Sequence, residues 1–148
     1  MSLILSNAPG VQLPRAWNQV NLNTVFSQVE PLMGEAFTCS KSGDLVKLRD
    51  VKRQILPSPA TLLTAICSVT FKSARETAGV DKLIVMSNSD KWNLFEDFIG
   101  IDLEHWSLPS VRRIYIVKAD KKRWRPLGIP TIKDRVIQAV VRDALEPE

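Results

Sequence analysis

The 148-residue sequence is short of the side chains that do chemistry. It has a single histidine, His105, and two cysteines, Cys39 and Cys67, which form no metal-ligand pattern. Cys67, flanked by apolar residues, reads as a buried small hydrophobe, and the default location is an intracellular, reducing one, cytoplasmic or inside an organelle. No apolar run approaches the roughly 18 residues of a membrane-spanning helix. The N-terminus, MSLILSNAPGVQLP, has neither the basic start nor the apolar length of a secretory signal. There is no Gly-rich phosphate loop, no thiol pair and no Ser/His/Asp grouping. His105, in LEHWSLP, reads as a loop or cap residue. Asp97 and Asp102 do not supply the several carboxylates that a two-metal phosphoryl-transfer site requires. The residues by themselves support no enzyme and imply no cofactor.

What is present is ordinary globular material, 45% hydrophobic and 24% charged, enough for one domain or one lobe of something larger. The net charge of +4 is unevenly placed. Residues 1–111 hold ten Lys/Arg against eleven Asp/Glu, a balance of −1; residues 112–148 hold ten against five, a balance of +5. Such local density points to a polyanionic partner.

Residues 1–14, with Pro9, Gly10 and Pro14, read as an irregular arm. From Trp17 the positions Trp17, Val20, Val25, Val29 and Leu32 recur at roughly helical spacing, with Gly34 loosening the end. Asp44 caps a second helix carrying Leu45, Leu48, Val51 and Ile55 and stopped by Pro57. Its exposed side holds Lys47, Arg49, Lys52 and Arg53. Pro59 opens a third, largely buried helix through ATLLTAICSVTF. The polar stretch FKSARETAGVDK, broken by Gly79, reads as a loop. A helical segment, SDKWNLFEDFIGI, follows, with Trp92, Phe95 and Phe98 as core packing.

The pattern changes after Pro109. VRRIYIV and a second run from about Arg123 to Ile129 predict a β-hairpin. Alternation places Arg112, Ile114, Ile116 and Lys118 on one face and Arg113, Tyr115 and Val117 on the other. Pro126 makes the second strand an edge or interrupts it. Thr131 and Asp134 then cap a last helix with Val136, Ile137, Val140, Val141, Ala144 and Leu145 on its buried side, ended by Pro147. The fold class expected is mainly α with a small β-hairpin (α+β).

Five basic residues crowd the stretch KADKKRWRPLGIP: Lys118, Lys121, Lys122, Arg123 and Arg125. Like charges at a hairpin tip are most comfortable beside phosphate, where arginine forks onto oxygens and lysine acts as a point charge. Trp124 either stacks on a base or covers the hairpin as packing. Without further information, a charge run is as well read as a solvated face.

The segment VRRIYIVKADKKRWRPLGIPTIKDRVIQAVVRDALEP resembles the opening of a group II intron reverse transcriptase, or maturase. The likeness rests on Arg112-Arg113, Lys118, the run Arg125 to Thr131, Asp134-Arg135, Gln138 and Leu145-Glu146-Pro147, in that order. TAGVD at Thr77–Asp81 is similar to that family's TPGVDG or TAGVDG loop, with Lys82 in place of the final glycine. LLTAICSVT resembles the preceding helix, with Cys67-Ser68 where two arginines are usual. Val117 stands where the family has Pro before Lys118, and the turn to Arg125 is one residue longer.

The resemblance implies a helical N-terminal domain over 15–108, which helps bind intron RNA and template. A partial fingers subdomain follows over 109–148, whose hairpin meets nucleotide and template phosphates. By position, Arg112, Lys118 and Arg125 are the implied phosphate contacts. The family's palm, with its metal-binding carboxylates, lies beyond Glu148. The expectation is thus a non-catalytic RNA-binding module, working in a larger RNA–protein assembly with structured RNA and protein partners. Its contacts are Arg112, Arg113, Lys118, Lys121, Lys122, Arg123, Trp124 and Arg125, helped by Lys47, Arg49, Lys52 and Arg53. The alternatives are an adaptor that docks on a protein through the hairpin and last helix, or one piece of a split reverse transcriptase.

Overall fold

The computed structural model describes residues 14–56, 58–71, 77–99, 101, 105–119 and 121–145. The expected arm up to residue 13, the stop at Pro57, Asp102 and the Glu146-Pro147 end lie outside them. Among these described residues, five α-helices and one two-stranded antiparallel hairpin follow a short 3-10 turn, Trp17–Gln19. This is the mainly α architecture expected.

The first helix differs from expectation at both ends. Trp17 belongs to the 3-10 turn, and α1 (Leu22–Ser42) begins only after Asn21, whose side chain accepts from the backbone N–H groups of Asn23 and Thr24. Gly34 does not end it. The helix runs on to Gly43, which adopts a left-handed φ of 74° and closes the last turn onto the Cys39 and Ser40 carbonyls. It tolerates Gly34 and the interior Pro31 because Val29, Ala36 and Cys39 anchor its buried side.

Helix α2 (Leu45–Ile55) starts at Asp44, whose carboxylate accepts from the Lys47 N–H at 3.0 Å. It buries Leu48, Val51 and Ile55. Helix α3 (Pro59–Val69) is buried along Ala60 to Ile66, whereas Cys67 is only half-buried against the core rather than enclosed. Helix α4 (Asn88–Phe98) opens with a reciprocal Ser87/Asp90 capping box. It buries Phe95 and Phe98 and packs Trp92 on Phe95 at 5.1 Å between ring centroids.

Helix α5 (Ile132–Leu145) joins two apolar clusters. Ile132, Val136, Ala139 and Val140 share the main core with α3, α4 and Trp17. Ala144, near its far end, belongs to the smaller cluster with Ala36, Cys39, Leu48, Val51 and Ile55. Val141 and Leu145, expected on the buried side, are exposed. A strip wide enough to include them exceeds what the packed neighbours of α5 cover.

Candidate nucleic-acid interface

Strands β1 (Arg112–Val117) and β2 (Trp124–Ile129) pair antiparallel, Arg112 opposite Ile129 and Val117 opposite Trp124. The Lys118 N–H donates to the Arg123 carbonyl at 2.8 Å, which continues the ladder by one bond. Since hydrogen-bonded and non-hydrogen-bonded pairs alternate, Tyr115–Pro126 is a non-hydrogen-bonded pair. Proline's missing N–H therefore falls on the outer edge, and the strand runs through Pro126 without interruption.

The register sorts the basic residues. Lys118, Arg123 and Arg125 extend one face near the tip, and Arg112 ends the same face at the base. Arg125 is level with Ile116, so Arg112 lies four residues, about 13 Å, further along. Lys118 and Arg125 are thus brought together and Arg112 is set apart. Arg113 is on the opposite face with Tyr115, Val117 and Trp124. Lys121 and Lys122 occupy the turn, where the Lys121 N–H reaches the Lys118 carbonyl at 2.9 Å and Lys121 takes a left-handed φ of 54°. Apart from half-buried Ile114 and Lys118, the described residues of the strands and tip are exposed until Ile129 enters the core. None of the ion pairs among the described residues involves Arg112, Arg113, Lys118, Lys121 or Arg125.

The basic side of α2 is a separate place. Its cluster meets α5 at Ala144, whereas the hairpin enters α5 at Ile132. A 14-residue helix is about 21 Å long, so the two basic groups sit near opposite ends of α5. Lys47 pairs with Glu35 at 2.9 Å, an interaction that raises its pKa. Arg49 and Arg53 both approach Asp50 at 3.9 Å. These exposed pairs are weak, yet they dilute the positive field there.

Behind the hairpin lies a junction that sequence reasoning missed. The Thr131 hydroxyl accepts from the Asp134 N–H at 3.1 Å and donates to its buried carboxylate at 2.7 Å. The other oxygen of Asp134 accepts from the Trp106 indole at 3.1 Å. Arg135 donates to the Thr77 carbonyl, and Gly79 packs so closely on the Pro130-Thr131 backbone that a Cβ there would lie 2.7 Å from the Thr131 Cα. Burial pushes the Arg135 pKa down, and nearby Asp81 opposes that shift. His105, expected in a loop or cap, lines an open groove beside this junction with Val80, Ile101, Trp106 and Pro109. The Asp97–Lys133 pair, 2.8 Å apart, is in the same lining. Only the Thr131/Asp134 cap was visible as a local motif; the Trp106 and Thr77 hydrogen bonds span 28 and 58 residues.

Known proteins share parts of this chain. A family model described as the N-terminal domain of reverse transcriptase matches residues 17–98, the helical body from Trp17 to the end of α4. The group II intron-encoded protein LtrA of Lactococcus lactis subsp. cremoris is 58% identical over 36 residues. The same protein from strain MG1363 matches equally. The match covers 24% of this chain and 6% of LtrA, so the chain corresponds to a small part of that relative's length. With more than half of its residues matched, the chain belongs to the reverse-transcriptase N-terminal domain family and corresponds to the N-terminal region of a group II intron reverse transcriptase, or maturase.

Proposed function

We propose that this chain is an RNA-binding module in which the hairpin tip holds phosphate and no catalytic step is carried out. One observation carries the reading: Lys118, Arg123 and Arg125 share one face of a projecting hairpin, and Lys121 and Lys122 fill its turn. Positive charge of that local density favours a polyanionic partner. The LtrA name ties the relative to a group II intron, so structured RNA of that kind is the partner proposed here. Arg112 and Arg113 at the hairpin base would extend the binding surface, with Lys47, Arg49, Lys52 and Arg53 a second, weaker patch toward the other end of α5. The same reading divides the chain into an arm (1–14), a helical domain (15–108) and a partial fingers region (109–148). The setting proposed is a larger RNA–protein assembly inside the cell; among the described residues no helix is long and apolar enough to cross a membrane.

The test is a salt titration of RNA binding by the chain and by its Lys121/Lys122/Arg123/Arg125→Ala variant. Every phosphate that is no longer neutralised lowers the slope of log K against log salt by about 0.7 to 0.9. A variant slope flatter by roughly 3 is expected on that basis. A wild-type slope near zero would overturn the reading. The adaptor alternative keeps only Val141 and Leu145 as exposed apolar residues on α5, because Val136 and Val140 are buried. A protein partner that survives high salt, with no RNA bound, would favour it.

A further inference from the structure

We infer that the hairpin face bearing Tyr115 and Trp124 is a stacking platform for the unstacked bases of single-stranded RNA, back to back with the phosphate-binding face. The inference rests on the RNA-binding reading above and adds to it a preference for strands whose bases are free.

The register assembles the platform. Val117–Trp124, Tyr115–Pro126 and Arg113–Gly128 are consecutive pairs on one face. All three are non-hydrogen-bonded pairs, the kind in which opposing side chains lie closest. Tyr115 and Trp124 are diagonal neighbours across the ladder, with backbones roughly 7–8 Å apart. They are 58% and 62% exposed.

The other three tryptophans are occupied within the protein. Trp17 is buried beneath the Lys91 ammonium, 5.3 Å from its ring. The Trp92 and Trp106 indoles donate to Glu96 and Asp134 at 2.8 and 3.1 Å. The Trp124 indole makes no hydrogen bond among the described residues and leaves its ring in water. An amphipathic ring so placed suits a flat, polar-edged partner.

Charge chooses the partner. Arg113 lies on the same face, and Lys121 and Lys122 sit just past Trp124 in the turn. A protein surface that accepted this face would need acidic groups around an apolar centre. A single strand offers phosphate beside π-faces at every nucleotide. A duplex offers the phosphate but hides the faces, and that difference makes the platform selective.

Tryptophan emission of the full chain, titrated with a uridine oligonucleotide and with an RNA duplex of equal length, tests this. The single strand should quench emission, and Trp124→Phe should abolish the quench while keeping affinity within a few-fold. Trp124→Ala and Tyr115→Ala should each weaken single-strand binding by roughly 5- to 150-fold, leaving duplex affinity and salt slope unchanged. Both side chains are exposed, so a thermal midpoint equal to wild type checks the fold; should Trp124→Ala fail that check, the Trp124→Phe emission result decides. Salt-dependent RNA binding that Trp124→Ala leaves intact would overturn the platform and spare the phosphate reading. Failure of the wild-type chain to bind either RNA would remove both. Self-association, or capture of a protein, that Trp124→Ala abolishes while RNA causes no quench would make the face a protein-docking surface and overturn the proposal.

Discussion

Arg135 reaches back 58 residues to donate a hydrogen bond to the carbonyl oxygen of Thr77. One side chain on α5 thus holds a loop that the chain left long before forming the hairpin. Arg135 also approaches the Thr131 carbonyl through Nε at 3.5 Å. Asp134, next to it, ties down Trp106. The hairpin leaves Ile129 directly into this first turn of α5, so its direction relative to the helical body is set here.

Gly79→Ala should lower stability by about 1–3 kcal/mol, the usual cost of forcing volume into a filled space. The added Cβ would meet backbone atoms of Thr131 at 2.7 and 2.8 Å, and backbone cannot swing aside as a side chain can. Denaturant unfolding followed by circular dichroism reads the change. A midpoint equal to wild type would mean that loop and turn do not touch in solution.

Lys82→Gly should stabilise the chain by up to about 1 kcal/mol. Lys82 has φ 58°, in the left-handed region where a Cβ costs roughly 1–2 kcal/mol. Part of the gain is returned as the extra chain entropy of glycine. The resembling family carries glycine at this place, and the backbone angle supplies the reason. Unchanged or lowered thermal stability in Lys82→Gly would show that the loop takes another conformation.

Acid should loosen the start of α4. The Asp90 carboxylate accepts from the backbone N–H of Ser87 at 2.8 Å and from the Met86 N–H at 3.0 Å, and the Ser87 hydroxyl, which accepts from the Asp90 N–H at 3.1 Å, lies beside it. These bonds favour the ionised form and hold its pKa below the ordinary aspartate range. The folded value is the lower one, so the contribution is complete above the unfolded value and is lost as pH falls through the folded value. Carboxyl-carbon NMR titration should find Asp90 titrating below an unfolded-peptide reference. Coincident titration of the two would refute the cap.

Among single substitutions, Lys121→Ala should weaken RNA binding more than Lys47→Ala. Both remove one positive charge, but Lys47 is already paired with Glu35, so its removal also frees a carboxylate at a place remote from the hairpin. Filter binding at two salt concentrations would rank them. Equal effects would put the α2 face on a par with the hairpin, and a larger effect of Lys47→Ala would make it the principal binding surface.

Local rules made much of this fold readable. Asp44 before Leu45, Pro59 at the start of α3 and Thr131 before Asp134 act within one helical turn, so sequence places them well. The hairpin was visible because β-branched residues and a polar turn have a strong period-two pattern. Gly34 misled because its helix-weakening cost, about 1 kcal/mol, is smaller than the packing of Ala36 and Cys39 that carries α1 onward. Val141 and Leu145 misled because periodicity gives the apolar side of a helix, not the width that its neighbours cover.

The sequence by itself determined the helical elements, the basic hairpin and the family likeness, since each is written in contiguous residues through capping, alternation and ordered motif. Only the tertiary structure decided that Lys118 and Arg125 are close while Arg112 is apart, that the α2 face lies at the far end of α5, and that Tyr115 and Trp124 share an open face. It alone also showed Gly79, Trp106 and Arg135 meeting at the start of α5. Those relationships depend on strand register and helix packing, which bring together residues whose separation in the chain carries no local signal.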